Sequence, residues 1–110
     1  MCLKYVAVHP PSYTEHTAVV GQSYTVLCHT SAVADVRWFF ESNGQSWPVY
    51  EFGHVSEEFQ DRFSLNSSHG LNGLGISNVQ LSDSGNYTCI DNGGQGDERI
   101  HHLTVHGERL

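Results

Sequence analysis

Asp83-Ser84-Gly85-Asn86-Tyr87-Thr88-Cys89 is the stretch of this 110-residue chain that decides its fold. Successive side chains of an extended strand face opposite sides, so an inward Cys89 carries Tyr87 inward with it and leaves Asn86 and Thr88 on the outer side. Gly85 relieves the turn before the strand. Upstream, Cys28 closes an alternating run, Ser23-Tyr24-Thr25-Val26-Leu27-Cys28, and Trp38 follows ten residues later in Val36-Arg37-Trp38-Phe39-Phe40.

Cys, then Trp, then Asp-x-Gly-x-Tyr-x-Cys resembles the immunoglobulin superfamily, and the resemblance extends over nearly the whole chain. It implies an all-β, two-sheet antiparallel sandwich in which Cys28 and Cys89 bridge the sheets and Trp38 lies against the bridge. It also implies that the Tyr87 hydroxyl reaches backbone in the preceding turn, and that Arg62 pairs with Asp83 as a clasp at the sandwich base. By their family roles Cys28, Trp38, Arg62, Asp83, Gly85, Tyr87 and Cys89 mark the fold rather than the function. The 24 positions from Trp38 to Arg62 exceed what one hairpin return needs. The surplus around Gly53-His54-Val55-Ser56 leaves space for a C″ edge and favours the variable-type (V-set) arrangement, with the I-set as alternative.

Length and composition agree with one domain over residues 1–110. Five basic against twelve acidic side chains give a formal charge of −7, which argues against a phosphate-tracking face and a nucleic-acid partner. Eight histidines are enough to cancel that charge in acid. The implied disulfide fits an oxidising compartment. It leaves Cys2 over, as a free thiol, a link to another chain or to a missing segment, or a cloning accident. No apolar run approaches the roughly 20 residues of a membrane span, and Met1-Cys2-Leu3-Lys4 is not a signal peptide. The expectation is a piece of a secreted or membrane-anchored parent. Asn66-Ser67-Ser68 and Asn86-Tyr87-Thr88 are acceptor triplets for N-glycosylation.

In chain order, Leu3–Val8 alternates like an A strand, Pro10-Pro11 interrupts it, and Thr17–Val20 reads as its second part. Strand B points Tyr24, Val26 and Cys28 inward. Strand C does the same with Val36, Trp38 and Phe40, leaving Arg37, Phe39 and Glu41 outward. Asn43-Gly44 is a turn signal, followed by a C′ strand over Trp47–Phe52. Arg62–Leu65 reads as strand D, Asn66–Gly70 as turn, Leu74–Val79 as strand E, and Glu98–Val105 as strand G.

The loop between Ile90 and Glu98 is short and glycine-rich. Antigen receptors follow the equivalent loop with Phe/Trp-Gly-x-Gly, whereas here Arg99-Ile100-His101-His102 follows. The departure argues against a rearranged receptor and for a germline-encoded cell-surface domain. With Leu103 and Val105 inward, Ile100, His102 and Thr104 face outward; strand F exposes Thr88 and Ile90. Together with Phe39 and Tyr50 these place apolar side chains on one sheet face, and clustered exposed apolar groups mark interaction sites. Asn92, Gly93 and Gly94 add backbone donors and acceptors. A glycan on Asn86 would cover part of that face and bias contacts toward the F–G loop.

Other chemistry finds little support. His101 and His102 face opposite sides of a strand and cannot chelate one ion together. Asp91, Asp97 and Glu98 lack the spacing of a calcium loop. Strand F carries no arginine of the kind sialic-acid-binding relatives use. No nucleophile elbow, phosphate loop or metalloprotease helix occurs, so neither catalysis nor a cofactor is expected. The sequence therefore points to an extracellular module that binds a protein through the G–F–C–C′ face, homophilically (including as a homodimer) or to a different ligand. The alternatives are a passive spacer and a binder of carbohydrate or microbial surfaces that stacks sugars on Trp47 and Tyr50.

Overall fold

The computed structural model describes residues 11–29, 36–68, 71–91 and 96–107. Among these residues nine strands form two sheets. β1 (Ser12–Val19), β9 (Glu98–His106), β8 (Gly85–Ile90), β3 (Arg37–Ser42), β4 (Gln45–Glu51) and β5 (His54–Val55) make a six-stranded sheet in that order. β2 (Tyr24–His29), β7 (Leu71–Ile76) and β6 (Phe63–Ser68) make a three-stranded one. The only helical pieces among the described residues are two 3-10 turns, at Glu57–Phe59 and Leu81–Asp83. β1 runs parallel to β9, and the other pairings are antiparallel.

Inward side chains of both sheets meet in one core. Val26, Cys28, Trp38, Val49, Leu74, Tyr87, Cys89 and Leu103 are almost wholly buried. Cys28 and Cys89 are joined across the sheets with a Cα–Cα distance of 6.3 Å, and Trp38 stands directly opposite Cys89 on the neighbouring strand. Closing a loop of 61 positions stabilises the fold by about 4 kcal/mol in the chain-entropy picture.

The base of the sandwich is a closed polar network. Arg62 Nη1 and Nη2 donate to the two Asp83 carboxylate oxygens at 2.7 and 2.9 Å. Asp83 Oδ2 also accepts the Gln80 amide, and the buried Tyr87 hydroxyl donates to the Asp83 carbonyl at 2.6 Å. Hydrogen bonding to Asp83 raises the Arg62 pKa, and burial raises that of Tyr87, so the guanidinium stays charged and the phenol neutral. Gly85 serves more than a turn. At φ +152° it starts β8 against β3, where a Cβ would lie 2.7 Å from both the Glu41 carbonyl oxygen and the Phe40 ring.

Several sequence expectations shift. β1 begins at Ser12 rather than Thr17, because the prolines forbid pairing only at their own positions; Leu3–Val8 lies outside the described residues. Asn66, Ser67 and Ser68 are strand, not turn, since pairing with Gly73, Asn72 and Leu71 outweighs their turn preference. β7 ends at Ile76, and Phe52 falls outside β4, in the turn to the two-residue C″ strand β5. Asn43 and Gly44 do make the β3–β4 turn, both at positive φ.

Candidate protein-recognition face

The register of the six-stranded sheet sets its outward side chains in rows. One row crosses five strands: Tyr13 on β1 stands beside Ile100, Ile100 beside Thr88, Thr88 beside Phe39, and Phe39 beside Pro48. On one side of it lie Glu98, Ile90 and Arg37. On the other lie Glu15, His102, Asn86, Glu41 and Ser46. Phe39, Ile90 and Ile100 are half-buried, Pro48 is exposed, and Tyr13 is 70% exposed at the edge. The middle of the sheet is thus an apolar band with a polar, largely acidic margin. Outward register of Phe39, Ile90, Ile100 and His102 agrees with the alternation in the sequence.

Two expected members stand differently. Thr88, expected to be exposed, is 8% exposed, because the bulk of Phe39 and Ile100 on either side closes over its short side chain. Tyr50 packs half-buried against the core. The cause is a bulge: Phe39 pairs with Pro48 and Trp38 with Tyr50, so Val49 is the extra residue and period two breaks there. Trp47 is likewise committed inward, stacked on Phe40 at a centroid distance of 5.7 Å. Asn92, Gly93 and Gly94 lie outside the described residues.

Two aromatic groups on this side escape the sequence reading. Tyr13 belongs to the stretch assigned to the break in the first strand. Phe52 is 67% exposed at φ +56°, a left-handed conformation that costs a bulky residue energy. Its ring lies under the Arg37 guanidinium at 4.6 Å, a cation–π contact that extends the face toward β5. The signal available was Phe52-Gly53, a turn pair directly after an alternating run.

At the polar margin His102 Nδ1 lies 2.7 Å from Asn86 Oδ1, and with its proton on Nδ1 the ring donates to the amide oxygen. Asp91 faces Arg99 at 3.6 Å. Among the described residues no group of three or more His, Cys, Asp and Glu side chains could hold a metal ion. Beneath the face, on the inner side of the β1–β9 edge, His16 Nε2 lies 3.0 Å from Nδ1 of the buried His101, and His16 Nδ1 lies 2.6 Å from the Tyr24 hydroxyl. With both rings neutral the chain of bonds runs in one of two directions, Tyr24 donating to His16 and His16 to His101, or His101 donating to His16 and His16 to Tyr24. Burial lowers the His16 pKa.

The family model of the immunoglobulin V-set domain matches residues 12–106, from the start of β1 to the end of β9. The chain is a V-set domain. Among curated proteins this V-set domain is similar to the sodium channel regulatory subunit beta-3 of Mus musculus, 38% identical over 98 residues that cover 76% of this chain and 45% of that protein. The Homo sapiens beta-3 subunit is 37% identical with the same coverage. The chain thus spans less than half the length of these relatives. Among solved structures it resembles the ZIG-8 IG1 homodimer, with a TM-score of 0.75 at 20% identity over 94% of this chain and 87% of that one. It also resembles the extracellular domains of the voltage-gated sodium channel beta4 subunit in parallel homodimers, with a TM-score of 0.73 at 19% identity over 96% and 100%. At such identities the structural likeness speaks for the fold alone. No helix among the described residues is long and apolar enough to cross a membrane.

Proposed function

We propose that this V-set domain is a single extracellular recognition module, without catalytic activity, that binds a protein partner through the outer face of its six-stranded sheet. The observation that carries this reading is the row Tyr13–Ile100–Thr88–Phe39–Pro48, an apolar band continuous over five strands and rimmed by Glu15, Glu41, Glu98 and Arg37. Phe39, Tyr13, Ile100 and Ile90 supply the apolar contact, and Phe52 on Arg37 supplies an aromatic anchor, the residue type that dominates binding energy at interfaces. His102 marks the polar margin and Tyr50 acts from beneath as support, while Asn92, Gly93 and Gly94 remain contact residues proposed from the sequence. The 38% identity to the sodium channel regulatory subunit beta-3, by its name a subunit that works beside another protein, supports protein binding, with a second copy of the chain or a different protein as ligand. A spacer has no use for such a band. Sugar stacking on Trp47 and Tyr50 is disfavoured because both rings pack on the core.

Sedimentation velocity of the oxidised domain over a wide concentration range tests the reading. Dimers that survive Cys2→Ser and vanish with Phe39→Asp make the ligand a second copy. If the domain is monomeric, a multimerised form should bind cell-surface protein, and Phe39→Asp and Tyr13→Ser should abolish that binding. Binding that ignores both substitutions overturns the proposal.

A further inference from the structure

The outer face of the three-stranded sheet has the opposite relief. Its central strand β7 presents two glycines outward, Gly73 and Gly75, between Leu27 and Thr25 on β2 and Asn66 and Ser64 on β6. Thr25 and Leu27 close over Gly73, whereas the missing side chain of Gly75 opens onto a groove of about 400 Å³ lined by Thr25, Ser64, Asn66 and Gly75, with Arg62 and Ser77 further along. That volume suits a small ligand, and the walls are mixed, with the hydroxyls of Thr25 and Ser64 and the Asn66 amide beside Tyr24, Phe63 and Ile76, as a sugar with one polar and one C–H face requires. Leu27, 41% exposed, stands at the Asn66 end, close enough that a Cβ on Gly73 would lie 3.2 Å from its Cδ2. Asn66 is exposed on the outer strand of this sheet and opens the acceptor triplet Asn66-Ser67-Ser68.

We propose that Asn66 carries an N-linked glycan whose first sugars lie in the groove over Gly75, between Thr25 and Ser64. The transfer forms a bond between Asn66 Nδ2 and C1 of a polyprenyl-pyrophosphate-linked oligosaccharide. The C1–O bond breaks, the pyrophosphate leaves with the electron pair, and the amide gives up one proton. Once attached, the sugar sets its hydroxyls toward Thr25 and Ser64, with Leu27 flanking the Asn66 end. The glycan also screens β6, whose outer edge pairs with no strand among the described residues and would otherwise offer backbone groups to another chain. Asn86 differs. Its Oδ1 is held by His102 on the flat recognition face, with no groove of glycines beside it.

The inference rests on the secretory setting of the proposed function and on nothing about the partner. The full chain, secreted behind a heterologous leader, is measured by intact mass before and after peptide-N-glycosidase. Wild type and Asn86→Gln should carry carbohydrate at Asn66, and Asn66→Gln and Ser68→Ala should lack it. From the folded protein the enzyme should release the Asn66 glycan severalfold more slowly in wild type than in Gly75→Val, whose side chain fills the groove, with equal rates after denaturation. Ser64→Phe fills the groove from its wall and replaces Gly75→Val if that variant is not secreted. An unmodified Asn66, or equal release from the folded proteins, overturns the inference. Loss of partner binding in Phe39→Asp alongside an unmodified Asn66 would remove the glycan and leave the recognition face standing.

Discussion

β3 and β8 build two regions that could hardly differ more. At their lower end Phe40, Gly85 and Tyr87 join Asp83 and Arg62 in a network whose polar groups are matched and whose backbones touch. A few residues along the same strands, Phe39 and Ile90 turn apolar surface outward, half-buried, beside Arg37 and over the closed-in Thr88. One region is closed and specifies the fold. The other is open and has no evident use within the domain, which is why it reads as function. Substitutions in the two regions should separate cleanly, stability falling in the first and binding in the second.

The largest effect should come from Gly85→Ala. Its methyl group meets a carbonyl oxygen and a ring edge at 2.7 Å, and overpacking with backbone strain should cost about 3 kcal/mol. The urea midpoint should fall with an unchanged slope. Next, Asp83→Asn removes the charge that holds Arg62. Arg62 is a quarter exposed, so solvent screening reduces the loss to about 2 kcal/mol, below the cost of breaking a fully buried pair. Tyr87→Phe, which deletes only the 2.6 Å bond to the Asp83 carbonyl, should cost about 1 kcal/mol on the same denaturation curve. Phe39→Asp inverts the pattern, shifting stability by less than about 1 kcal/mol while abolishing partner binding in sedimentation or cell-binding measurements. A Phe39→Asp protein that unfolds would mean that the open region is structural after all, and the contrast would collapse.

The smallest effect concerns pH. The His16 pKa is lowered in the folded domain from its ordinary value of 6.5, so the unfolded chain takes up protons that the fold refuses. The stability contribution is therefore complete above pH 6.5 and is lost as pH falls through the lower folded value. The groups facing the His16–His101 pair are Tyr24 from β2 and, across β8, Tyr87 opposite His101, neither of which can supply negative charge in this range. One added proton can be taken by turning the Tyr24 hydroxyl around, but a second forces two donors together at 3.0 Å. The protection factors of the β1 amides, corrected for the intrinsic pH dependence of exchange, should thus fall in mild acid in wild type and lose that dependence in His16→Gln. A loss of protection spread evenly over the domain would contradict this local origin.

How much the sequence revealed depended on range. Cys28, Trp38 and the Asp83–Cys89 stretch could be read because each constraint acts within a strand or a corner, and the inward set of β9 followed from Leu103 and Val105. Tyr50 was misplaced because a single bulged residue, Val49, shifts every side chain beyond it. Asn66–Ser68 was taken for a turn because its partners on β7 are decided by tertiary pairing. Phe52 was hidden by a backbone conformation that its residue type disfavours. The contact of His16 with His101 bridges 85 positions and leaves no local mark at all.

The parallel pairing of β1 with β9 has a mechanical meaning. Eight residue pairs, Ser12 with Arg99 through Val19 with His106, hold the first described strand to the last, side by side and pointing the same way. Tension applied at Ser12 and at His106 therefore drags the two strands past each other along their length. The connecting hydrogen bonds share that load together and cannot be peeled open one after another, so a V-set domain held between two anchors resists extension through the very edge that also carries Tyr13.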